Sequence, residues 1–176
     1  RDPTRACPPH LRTLRREFSA ANFRDLEEAE KARATRRAEL TPLLTTFEEA
    51  ARSESWAVAL PTLTQLEDAL DAIEAVVDAP RTRLQALRSF KTDPEVTIGK
   101  ARFAVRDAQL MVVRTPGAHL APFGARLDRL AARLDVVPPL LEAVHPDYLR
   151  CLREIDDVRQ QVKDVVAEVR RSRSAG

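Results

Sequence analysis

Apolar residues recur along this chain in steps of three and four. The longest series is Leu120, Phe123, Leu127, Leu130, Leu134, Val137, Leu141, Val144, Tyr148, Cys151, Ile155, Val158, Val162, Val165 and Val169, and no position in it carries a charge. That spacing lays one narrow apolar stripe along a helix, the kind of stripe that faces another helix. Pro138, Pro139 and Pro146 interrupt the series, and proline removes an amide donor and clashes with the preceding turn. The phase continues across them, which predicts two or three jointed segments sharing one apolar side. Asp135 is the predicted cap for a restart at Pro138-Pro139, and Pro146 the predicted first residue of the last helix. Beyond Tyr148 the stripe turns from Leu to Val and Ile. Because β-branched seams favour small oligomers, Tyr148, Ile155, Val158, Val162, Val165 and Val169 are the predicted face for packing on a partner chain, a second copy included, as well as on their own chain.

Shorter stripes precede it. Leu11, Leu14, Phe18 and Ala21 open a first helix, which continues through a nearly all-charged and alanine stretch where Glu27–Lys31 and Glu30–Arg33 have supporting spacings. Leu43, Leu44, Phe47, Ala50 and Ala51 mark the next buried face. Ser53-Glu54-Ser55 reads as a corner, with Trp56 packing just beyond it. Leu63, Leu66, Leu70, Ile73 and Val77 form a further stripe. Asp93-Pro94 followed by Glu95 is the clearest helix start, with Asp as N-cap and Pro in the first turn. There Ile98, Ala101, Val105, Ala108 and Val112 form the core line, widened by Phe103, Leu110 and Val113. Gly99 inside it suggests a close helix–helix approach. Thr115-Pro116-Gly117 ends the segment.

These signals predict helices at about 8–40, 42–53, 56–90, 94–114, 118–136, 139–144 and 146–171. The fold class is all-α: an elongated three- to four-helix bundle, coiled-coil-like, with long proline-kinked helices. Residues 1–176 read as a single segment, and the start at Arg1 without a Met suggests a piece of a longer polypeptide. Composition agrees, because Gly is rare (4 residues) and aromatics make up 5%, which starves strands and favours helix.

Charge narrows the function classes. The net charge of +2 lacks the basic excess of a general nucleic-acid binder. No apolar run reaches the length of a membrane span, so neither nucleic acid nor membrane is an expected partner. From Ser53 to Pro80 there are acids and no base. Glu67, Asp68, Asp71 and Glu74 are the centre of this acidic face, which either pairs with the basic Arg12–Arg37 stretch or is offered to a partner.

Catalytic and ligand chemistry is sparse. His10, His119 and His145 lack helical metal-ligand spacing, and Cys7 and Cys151 form no CxxC pair. No phosphate-binding glycine loop, nucleophile elbow or zinc-protease motif occurs. The expectation is no enzyme, no cofactor and no metal.

The segments RLDRLAARLDVVPPLLEAVHPDYLRCLREIDDVRQQVKDVVAEVRR and DLEEAEKARATRRAELTPLL resemble, in their Arg/Ala/Asp/Val-heavy and proline-punctuated character, the central helical region of an alphaherpesvirus large tegument protein. The resemblance rests on general sequence character and covers most of the chain. It implies a scaffold or spacer segment of a large virion protein that links capsid to outer tegument and supports capsid transport, nuclear-pore targeting and envelopment. Partners would then be tegument or capsid proteins, and the locations virion tegument, host cytoplasm and host nucleus. That family's deubiquitinating cysteine protease lies in an N-terminal domain whose active-site context is missing here, so no catalytic role passes to Cys7 or Cys151. The other reading is a soluble cytoplasmic sensor or adaptor bundle from a high-GC bacterium, binding one protein partner through the acidic face.

Overall fold

A computed structural model describes residues 9–115 and 121–174. Helices take 91% of the described residues, with no strand among them, so the chain is all-α. In order, α1 is Pro9–Glu17, a 3-10 turn spans Ala20–Asn22, α2 is Arg24–Arg52 and α3 is Trp56–Thr92. Then come α4 (Pro94–Arg114), α5 (Ala121–Asp135), α6 (Val137–Leu141) and α7 (Tyr148–Ser174). The chain packs as two compact units, residues 1–85 and 86–176. The sequence offers no signal for this boundary, which falls inside α3. The expected turn at Pro116-Gly117, together with Cys7, His119 and Leu120, lies outside the described residues.

In the first unit, the helix expected at 8–40 divides between Phe18 and Phe23. In one continuous helix those two rings would sit about 140° apart around the axis. The 3-10 turn instead brings both into the interior together with Leu11, Leu14 and Leu26. Ser19 and Asn22 supply the alternative to helix: the Asn22 amide donates to the Ser19 carbonyl at 3.3 Å and to its hydroxyl at 2.9 Å. Arg83 then ties α3 to this corner. Its guanidinium donates to the Asn22 carbonyl at 3.1 Å and forks onto the Asp25 carboxylate at 3.2 and 3.0 Å.

Pro42, at the expected start of the 42–53 segment, either begins a fresh helix or sits in a continuing one by its sequence, and α2 runs through it. A proline leaves the carbonyl four residues back without its donor; here Ala38 and Pro42 are both exposed, which puts the freed group within reach of water and keeps its cost low. Likewise α3 continues through Pro61 and Pro80.

Between α2 and α3 the corner forms as expected, with a defined geometry. The Ser55 amide donates to the Ala50 carbonyl at 2.8 Å and the Glu54 amide to Ala51 at 3.2 Å. This is a Schellman ending, and Glu54 occupies its left-handed position with φ 55°. An L side chain is strained there. Glu54→Gly is therefore expected to stabilise the first unit by about 0.5–1 kcal/mol, measured by urea unfolding.

The second unit is an antiparallel three-helix bundle of α4, α5 and α7, with α6 and the end of α3 against it. Its core joins Phe90, Ile98, Ala101, Val105, Ala108 and Val112 to Leu127, Leu130, Leu134 and Val137, and to Cys151, Ile155, Val158, Val162, Val165 and Val169. Phe90 meets Tyr148 edge-on, with ring centroids 6.3 Å apart. Polar pairs fix the directions. Arg102 donates to Asp135 at 3.0 Å and Gln109 to Asp128 at 2.7 Å, so α5 runs antiparallel to α4. Arg126 reaches Glu168 at 2.7 Å, and Arg133 reaches Glu154 and Asp157, each at 2.6 Å, so α7 runs antiparallel to α5.

Helix starts in this unit follow local chemistry. The Asp93 carboxylate accepts from the Val96 amide at 3.2 Å, capping α4 as expected. Asp147 does the same for α7, accepting from the Arg150 amide at 2.9 Å. That displaces Pro146 from the helix start predicted for it. Asp135 caps nothing, because its carboxylate is engaged by Arg102. In consequence α6 begins at Val137 and not at 139, with its prolines in the first turn, where absent amides cost least.

Candidate interaction surfaces

The α7 face expected to meet a partner chain is the interior of the second unit. Ile155, Val158, Val165 and Val169 are wholly buried and Val162 almost so, and Tyr148 is half-buried against Phe90. The correction has a simple cause. A 3-4 stripe reports that a helix faces something apolar, and α4 and α5 supply matching stripes within the same chain. Among the described residues of the long stripe, only Val144, in the α6–α7 connection, departs from the pattern, standing 91% exposed.

Two other faces remain uncovered. The first lies on α3. Of the expected stripe Leu63, Leu66, Leu70, Ile73 and Val77, only Leu66 is buried and Ile73 half-buried. The line that packs inward is rotated round the helix and contains Ala59, Thr62 and Leu66. Thr62 fits there because its hydroxyl donates to the Val58 carbonyl at 2.8 Å. As a result this part of α3 turns Ala59, Thr62 and Leu66 inward and leaves a row of large residues outward. Trp56 (59%), Leu60 (60%), Leu63, Leu70 and Val77 all face solvent. Steps of four and three connect Trp56, Leu60, Leu63, Glu67, Leu70, Glu74 and Val77 in one row. Trp56, expected to pack beyond the corner, belongs to this row instead.

Acids edge that row. Glu67, Asp68, Asp71 and Glu74 are all exposed, and none forms an ion pair or side-chain hydrogen bond among the described residues. Pairing with the basic first helices, one of the two sequence expectations, is therefore not what the acids do. The bases there are engaged elsewhere or solvated: Arg15 pairs with Glu27 at 2.6 Å and Arg33 with Glu30 at 2.7 Å. Like charges three and four residues apart, as at Glu67, Asp71 and Glu74, destabilise an isolated helix slightly.

The second uncovered face lies on α4. Phe103, Leu110 and Val113 were expected to widen the buried stripe. They point away from it, with Phe103 72% and Val113 82% exposed, and Val96 joins them. The expected reason for Gly99 also fails: a Cβ there would meet no atom within 4 Å.

Chemistry-bearing groups elsewhere are absorbed by the fold. Cys151 is buried in the bundle core, and burial pushes its thiol above the ordinary range. The Arg133 guanidinium hydrogen bond holds the Asp157 carboxyl below its usual range. His145 is exposed. Among the described residues no cluster of His, Cys, Asp and Glu is placed to hold a metal ion, and no helix is long and apolar enough to cross a membrane.

The fold and surfaces define the class: an all-α chain with a three-helix bundle unit and solvent-facing apolar rows on α3 and α4. Comparison with protein-family models, with curated proteins and with solved structures finds no match to the chain.

Proposed function

We propose that the chain is a helical scaffold segment that docks a protein partner on the outer face of α3, and that the docked element is an amphipathic helix with basic flanks. One observation carries this reading: over its N-terminal part α3 exposes Trp56, Leu60, Leu63, Leu70 and Val77 beside acids that have no partner among the described residues. An apolar row with 3-4 spacing suits a helix laid along it, and the acidic edge selects bases on that helix and speeds its approach. The sequence resemblance to the alphaherpesvirus large tegument protein extends the proposal: the segment serves as a spacer between capsid and outer tegument, and the partner is another virion protein. The adaptor reading uses the same face with one dedicated partner.

A photo-crosslinking residue placed at Leu63 or Leu70, with one at exposed Arg37 as control, tests the face in the extract of the source cell. Capture from Leu63 and Leu70 of a protein that carries a basic amphipathic helix, and not from Arg37, is the expected result. Equal capture at all three positions would contradict the proposal.

A further inference from the structure

The α4 row lies in a different unit from the α3 face and on a helix whose opposite side is fully engaged in the core. Val96, Gly99, Phe103, Arg106, Leu110 and Val113 follow one another at spacings of three and four. They occupy the seam positions of a two-stranded coiled coil. We propose that this seam pairs with the α4 seam of a second copy of the chain, antiparallel and about a two-fold axis.

Register follows from the seam itself. In antiparallel pairing Val96 faces Val113 of the second copy, Gly99 faces Leu110, and Phe103 faces Arg106, and the axis repeats each layer. The open space over Gly99, where a Cβ meets nothing within 4 Å, receives the Leu110 side chain of the other copy. The Phe103 ring receives the Arg106 guanidinium, a favourable cation–aromatic contact. Parallel pairing is much poorer: it stacks Arg106 on Arg106 and Gly99 on Gly99.

Flanking charges carry the argument to a second copy specifically. In the antiparallel register Lys100 lies beside Asp107 of the other copy, and Arg114 beside Asp93. Every one of these pairs is of opposite sign, and symmetry forms each twice. Lys100, Asp107 and Arg114 are exposed and have no side-chain partner among the described residues, so each is available. Arg102, which a parallel arrangement would need for Asp107, is already held by Asp135 at 3.0 Å. At 21 residues α4 offers a seam of about 31 Å. A seam this short gives a reversible dimer whose population depends on concentration.

The test is charge exchange across the seam, read by sedimentation equilibrium on the 176-residue chain from micromolar to millimolar concentration. Lys100→Asp alone places two acids opposite one another twice, and Asp107→Lys alone does the same with two bases. Each variant is expected to weaken the dimer about tenfold or more, with unchanged circular dichroism. An equimolar mixture of the two variants restores both pairs and is expected to dimerise like the wild type. A wild-type chain that stays monomeric at millimolar concentration overturns the proposal. So does dimerisation of either variant at wild-type strength. Failure of the mixture to recover overturns the antiparallel register, because parallel pairing would leave one repulsion of each sign in the mixed dimer.

Discussion

Ile155→Ala should destabilise the 86–176 unit by about 2–5 kcal/mol and leave the mass of the particle in solution unchanged. Ile155 is wholly buried at the middle of the α7 stripe, among residues contributed by α4 and α5. Truncation removes three carbons from a packed interior and leaves a cavity that the bundle closes only in part. Domains of this size have a total stability of about 5–15 kcal/mol, so the loss is a large share of it. Phe103→Ala removes a larger side chain from α4 but, at dilutions where the chain is monomeric, takes it from solvent, and its effect on unfolding there should stay below about 1 kcal/mol. Urea unfolding followed by far-ultraviolet circular dichroism compares the two. Had the α7 stripe been a partner-binding face, the order would be reversed: Ile155→Ala would leave the stability of the single chain nearly unaltered.

The contrast between those two residues shows what the pattern of apolar positions conveys and where it stops. The core line of α4 from Ile98 to Val112, the cap at Asp93 and the buried stripe from Leu127 to Val169, Val144 apart, all follow from spacing and from capping chemistry. Those features depend on neighbours close in sequence or on a period held over many turns. Which neighbour covers a stripe depends on the whole chain. Spacing therefore could not distinguish α7 packed on its own α4 and α5 from α7 packed on another copy. Nor could it foresee that α3 would rotate, turning Ala59 and Thr62 inward and leaving Leu63 and Leu70 outside. Small residues give a weak periodic signal, and the large ones beside them dominated the reading.

The effect of a proline depends on its surroundings in the same way. Pro42 costs a helix its hydrogen bond and some steric comfort, but at an exposed turn water meets the freed carbonyl and the helix continues. Between Phe18 and Phe23 the reverse holds, and the helix breaks where no proline or glycine stands. There the break arises from burial of two rings and from the side-chain bonds of Asn22. Of the surface residues, the acids Glu67, Asp68, Asp71 and Glu74 were legible from the one-signed run that holds them. Their apolar companions Trp56 and Leu60 were not, because a large apolar residue on a helix is ordinarily assigned to the interior.

The triple substitution Glu67→Lys, Asp71→Lys and Glu74→Lys should abolish docking of the α3 partner without harming the fold. None of the three carboxylates forms an ion pair or side-chain hydrogen bond among the described residues, so no internal pair is broken. Their mutual repulsion at helical spacing is exchanged for repulsion of the other sign, at a cost or gain of a few tenths of a kcal/mol. On the partner's side the effect is much larger. Bases that approached an acidic edge now meet bases along the whole length of the row, and juxtaposed like charges cost several kcal/mol, a loss of at least about a hundredfold in affinity. Raising ionic strength should weaken wild-type docking and partly relieve the defect in the variant, because exposed charges are screened. A conservative control, Glu67→Gln with Glu74→Gln, should show an intermediate loss.

The most direct measurement is the dissociation constant of the protein captured at Leu70, determined by titration against the wild-type chain and the triple variant, with circular dichroism recorded on both. Identical helicity and an affinity reduced about a hundredfold or more are expected. Equal affinities at equal helicity would show that the acidic, apolar face of α3 is not where the partner binds.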